Sequence, residues 1–148
     1  MQPTTLLLFL LTTITTAQTP NYCAGDKSIV GYCTTLTYID RTLSVTNPPT
    51  PAECNDACRG VQSDAGDWGV DFTGRPAGYI NGMVGYPCGF SVGRGAGEPL
   101  NYSFSMHNQD IIDVFDEVNK RFGGLHAGRV AAEGTMVCEG HQVVWYVN

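Results

Sequence analysis

The chain has 148 residues, 43% of them hydrophobic, and a net charge of −6 with only eight Lys and Arg. Phosphate contacts need clustered cations, so this balance argues against a protein that works by coating nucleic acid or anionic lipid. Six cysteines, Cys23, Cys33, Cys54, Cys58, Cys88 and Cys138, form no paired CxxC metal pattern and read as three disulfides of an exported protein.

Leu6 to Leu11 is an unbroken apolar run followed by a Thr-rich stretch and a small-residue junction at Ala17-Gln18. The run is too short to span a bilayer and reads as a signal peptide over residues 1–17, although no Lys or Arg precedes it. Its removal leaves 148 − 17 = 131 residues, 18–148, enough for one domain burying roughly two-thirds of its chain surface. No later apolar segment is long enough to hold that domain in a membrane, so the expected location is extracellular.

Gln18 to Gly25 is polar and reads as an arm fixed through Cys23. Ser28 to Ile39 is rich in β-branched and aromatic residues and predicts a strand, broken off by Asn47-Pro48-Pro49. Thr50-Pro51-Ala52-Glu53 fits a capping box with proline at the first helical position. Cys54, Ala57, Cys58 and Val61 then recur at helical spacing. Residues four apart on a helix hold their Cβ atoms about 5–6 Å apart, whereas a disulfide needs about 3.5–4.5 Å. Cys54 and Cys58 are therefore expected to bond to other segments, bolting this helix at two points.

Asp67 to Phe72 alternates and predicts a short strand, followed by a loop through Gly74, Gly78 and Gly82. Met83 to Val92 predicts another strand, with Pro87 pointing to an edge or a bulge. Gly93 to Pro99 is a connection, and Tyr102, Phe104 and Met106 alternate before the second helix. Asn108 is the expected N-cap, Asp110 suits the positive end of the helix dipole, and Lys120 and Arg121 suit the negative end. Ile111, Phe115, Val118 and Phe122 make one apolar stripe, and Gly123-Gly124 predicts a left-handed stop. Arg129 to Cys138 and His141 to Val147 predict a hairpin around Glu139-Gly140, its last strand apolar on both faces. The order implies an α+β domain, one mainly antiparallel sheet with two helices packed on it and disulfide staples.

His107, His126 and His141 match no helical HxxxH or HExxH spacing, so no metal or cofactor is expected. Cys88 or Cys138 beside a histidine would suit a nucleophile, but an even cysteine count in an exported chain favours disulfides. Asp64, Asp67 and Asp71 resemble cation ligands or paired carboxylates, yet lack the glycine and terminal glutamate of a calcium loop and read as a solvated turn. Asn101-Tyr102-Ser103 is an N-glycosylation sequon. Trp68, Trp145 and the tyrosines suit a sugar-stacking platform, but their alternating strand positions favour core packing. No residue is assigned to catalysis.

Several of these features occur together in a telling order: Glu53 before Cys54 at the first helix, Trp68, Cys88-Gly89-Phe90-Ser91-Val92, Asp110-Ile111, Gly134-Thr135-Met136-Val137-Cys138, and Trp145 in the last strand. From about Ser28 to Val147 the chain resembles the small secreted necrosis-inducing effectors of plant-associated fungi, the family named after extracellular protein two. A more remote resemblance is to the smut-virus killer toxin designated four, an α/β sandwich. The resemblance implies a secreted, host-directed, toxin-like effector, and the expectation built on it is a monomeric virulence factor that binds a host target, a protein receptor or a cell-wall component. Alternatively, it implies an antimicrobial protein directed at competing microbes. It supplies no catalytic residues. The killer toxin resembles a basic channel blocker that depends on exposed positive charge, whereas this chain is acidic and offers only Arg75 and Arg94 on its central loops, which argues against channel blocking by that route.

Overall fold

The computed structural model describes residues 18–64 and 66–148; the expected signal peptide, residues 1–17, lies outside them. The first long element is helix α1, Pro51–Ser63. The Thr50 hydroxyl accepts from the Glu53 amide while the Glu53 carboxylate accepts from the Thr50 amide, the predicted capping box. Helix α2, Asn108–Phe122, buries Ile111, Ile112, Val114, Phe115 and Val118. It packs on α1 and on the sheet, where Phe115 meets Phe90 edge-on at 6.0 Å.

The strands are β1 (Cys33–Thr35), β2 (Ile39–Asp40), β3 (Trp68–Asp71), β4 (Ile80–Val84), β5 (Phe90–Arg94), β6 (Ser103–Met106), β7 (Ala132–Cys138) and β8 (His141–Val147). Six of them form an antiparallel sheet in the order β1-β7-β8-β5-β4, with β2 beside β1 on β7. Strand β8 lies between β7 and β5, so both its edges are paired. Val143, Trp145 and Val147 enter the core, and Val144 and Tyr146 lie half-buried on the other face. Glu139 and Gly140 take φ of 49° and 86°, which a two-residue type I′ turn between β7 and β8 requires.

All six cysteines are oxidised: Cys23–Cys58, Cys33–Cys138 and Cys54–Cys88. The arm is thereby fixed to α1, α1 to the turn before β5, and β1 to β7. Helix α1 carries two bolts and no internal one, as the helical spacing of Cys54 and Cys58 demands. The α+β class, the two helices and the disulfide staples follow the sequence reading.

Five local expectations change. The strand expected over Ser28–Ile39 is two short ones, because Leu36 and Thr37 both donate to the Thr135 carbonyl and bend the chain away from the ladder. The strand expected over Met83–Val92 is the hairpin β4–β5, turned at the cis Tyr86-Pro87 bond. Among the described residues strands β3 and β6 pair only with each other, making a second, two-stranded sheet beside the main one. Helix α2 is capped by His107 and not by Asn108: the His107 Nδ1 accepts from the Gln109 amide at 3.1 Å. At its far end Gly123 stays right-handed (φ −62°, ψ −23°), and the left-handed residues come later, at His126, Ala127 and Gly128.

Candidate functional site

The three histidines hold separate places. His107 caps α2, His126 bonds Asp40 at 2.7 Å, and His141 bonds Glu98 at 2.9 Å while stacking on Tyr102 at 4.3 Å. The His141 bond, then the Gln142 amide, hold the Glu98 carboxyl below its ordinary value. Burial raises the Asp40 pKa, but the Thr42 hydroxyl and amide together with His126 outweigh it, and the net direction is down. Among the described residues no group of three His, Cys, Asp or Glu is placed to hold a metal ion.

Asp64, Asp67 and Asp71 also serve different bonds. The Asp64 carbonyl accepts from Asn108, the Asp67 carboxylate accepts from the Tyr32 hydroxyl, and Asp71 closes a turn on the Thr73 amide. Asn101 is exposed, its carbonyl Oδ1 accepting from the Gly74 amide. Of the two loop arginines, Arg94 is spent internally: its guanidinium donates to the carbonyls of Phe72, Arg75, Pro76 and Leu100 and lies 4.8 Å over the Phe72 ring. Arg75 lies over Tyr79.

The two tryptophans part company. Trp145 is fully buried, with Tyr38 packed edge-on against it at 5.2 Å. Trp68 is half-buried on β3, its indole N–H donating to Asn108 at the start of α2. It stands in a cleft of about 390 Å³ walled by Asp64, Asp67 and Gly69 on one side and Asn81, Gly82 and Met83 on the other. Past Trp68 and Met83 the cleft opens into a second hollow of about 390 Å³, between Glu53, Asp56 and Gly60 of α1 and the chain from Val84 to Pro87. Tyr86, 93% exposed, stands at its rim. A separate hollow between β1 and α2 is neutralised by its own ion pairs, Lys27 to Asp113 and Asp116, and Lys120 to Asp116.

The cleft has no counterpart among the sequence expectations, which place Gly82 in a loop and Trp68 in the core. An isolated glycine inside each strand, Gly69 in β3 and Gly82 in β4, was the available signal.

No curated protein matches the chain closely enough to name as a relative. The family Hce2, described as pathogen effectors and candidate necrosis-inducing factors, matches residues 32–138. That stretch begins one residue before Cys33 and ends on Cys138, its disulfide partner, and so takes in both helices, the Trp68 strand and the whole cleft. On a match covering well over half of its length, the chain belongs to the Hce2 family of pathogen effectors.

Proposed function

We propose that the protein is a secreted fungal effector that binds a host target, a protein receptor or a cell-wall component, as a monomer and promotes cell death without catalysing a reaction. The family match over residues 32–138 carries this reading. The disulfide framework supports it: three bridges fix the arm, α1 and the sheet edge into a scaffold suited to a reducing-agent-free compartment and to presenting a rigid surface. Residues 1–17 act as the signal peptide, and Asn101 carries a glycan that leaves its carbonyl free for the Gly74 amide.

The test is infiltration of purified residues 18–148 into leaf tissue beside a reduced and alkylated control. Necrosis from the native protein alone is expected, and no response across many plant hosts overturns the reading. Inhibition of fungal or bacterial growth at low salt, without a leaf response, assigns the protein instead to killer-toxin-like antagonism. The engagement of Arg94 with four carbonyls weighs against that second role, since it removes one of the two loop cations from the surface.

A further inference from the structure

We propose that the cleft between β3 and β4 takes an extended, basic segment of a partner polypeptide, which adds to the β4 edge as a strand; this rests on the binding role proposed above. Strand β4 is outermost in the main sheet, and among the described residues its outer backbone groups bond to no other segment. Strand β3 is likewise paired only on its β6 side. Both strands line the same cleft. An unpaired row of N–H and C=O groups is a template for another chain, and natural edges are blunted with charge, proline or extreme shortness. Ile80–Val84 has no charged residue and no proline; its one irregularity is a register shift after Gly82. The opposite edge strand, β1, has only three residues and is bonded to β7 through Cys33.

Glycine placement points the same way. Five glycines have neither a positive φ nor any atom within 4 Å of where a Cβ would stand: Gly60, Gly69, Gly82, Gly85 and Gly124. The first four line the cleft and its extension. Folding requires none of them, and Gly60 inside α1 costs about 1 kcal/mol relative to alanine. A closely approaching second backbone is what such bare positions admit.

Charge selects the occupant. Asp64 and Asp67 stand at one end, Glu53 and Asp56 at the other, and among the described residues no Lys, Arg or His lines either hollow. Two cations lie outside the lining: Arg59 pairs with Asp56 at 3.3 Å on the exposed face of α1, and Arg129 acts on Glu53 through charge. Lysines or arginines at alternate positions of an added strand would meet the carboxylates, while its main chain bonds to β4.

The probe is a capped hexapeptide alternating lysine with threonine, titrated into the purified native protein. Trp68 fluorescence and amide exchange across Ile80–Val84 are the readouts. Expected are saturable binding, slowed exchange at those amides, and at least fivefold weakening when alternate peptide nitrogens are methylated. Asp64→Asn with Asp67→Asn, both exposed and outside the core, should weaken binding by a similar factor and reduce its salt dependence. No saturation at millimolar peptide, equal binding of the methylated peptide, or unchanged exchange at β4 overturns the assignment. A failed titration with leaf necrosis intact sinks the cleft alone; a positive titration without any leaf response sinks the effector role alone.

Discussion

Removing the Asp110 carboxylate should unfasten the N-terminal segment from α2. Asp110 is 7% exposed and accepts three backbone N–H groups: His107 at 2.7 Å, Tyr32 at 3.0 Å and Cys33 at 3.1 Å. One bond closes the helix cap and two hold the chain entering β1. Hydrogen bonds to a charged acceptor contribute about 1.5–3 kcal/mol each, and the Tyr32 and Cys33 donors are partly reachable by water, so Asp110→Ala should cost about 3–5 kcal/mol. With a urea m-value of about 2 kcal/mol/M, the midpoint falls by about 2 M. Gly31 belongs to the same clasp: a Cβ there would stand 1.8 Å from the Asp110 Oδ1. Gly31→Ala should therefore be destabilising alone and much less so when Asp110 is already alanine, a coupling of about 1–2 kcal/mol in the double-mutant cycle. The assay is urea unfolding with the disulfides intact, followed by tryptophan fluorescence. A loss below about 1 kcal/mol for Asp110→Ala, or strict additivity of the two changes, refutes the clasp.

Arg94→Lys should lower stability by about 2 kcal/mol despite keeping the charge, because an ammonium cannot reach four carbonyls in a fan; thermal unfolding should shift down by about 4–8 °C. Gly134→Ala should cost about 3 kcal/mol in urea, since its Cβ would lie 1.9 Å from the Thr37 carbonyl and 2.4 Å from the Trp145 ring. Burial opposes the charge on Asp116, but Lys120 and Lys27 more than offset it and hold its pKa below the ordinary 3.8. Asp40 and Glu98 are depressed as well. A depressed carboxylate stabilises the fold fully above its unfolded pKa and loses that contribution as pH falls through the folded value. Stability should thus be level above about pH 5 and fall progressively below pH 4, and Asp116→Asn should flatten that acid limb.

What could be read from the sequence was local. The Thr50–Glu53 box, the apolar stripe of α2 and the Glu139-Gly140 turn are set by neighbours within four residues, and all three stand as expected. Helical geometry alone also excludes a Cys54–Cys58 bridge, and the two cysteines bond to Cys88 and Cys23. What failed depended on distant partners. His107 displaced Asn108 as cap because Asn108 is engaged by Trp68 and Asp64, from 40 and 44 residues away. Gly123 stayed right-handed in close packing against Pro51 of α1. The cleft had no local signature beyond two lone glycines, since it exists only because β3 and β4 join different sheets.

Two of the disulfides offer a matched pair for connecting that scaffold to function. Cys23–Cys58 closes a separation of 35 residues and Cys54–Cys88 one of 34, so the chain-entropy account assigns each about 3–4 kcal/mol. Their places differ. The first fixes the N-terminal arm to α1; the second ties α1 to the turn following β4 and so holds the two walls of the cleft's inner hollow together. Replacing either pair with alanines should therefore shift the urea midpoint by a similar amount. Only the Cys54→Ala/Cys88→Ala protein should lose peptide binding and leaf activity, under conditions where both variants remain folded by circular dichroism. If both variants lose activity together, or only the arm variant does, then the bridges act through global stability or the arm, and the cleft walls are not what they preserve.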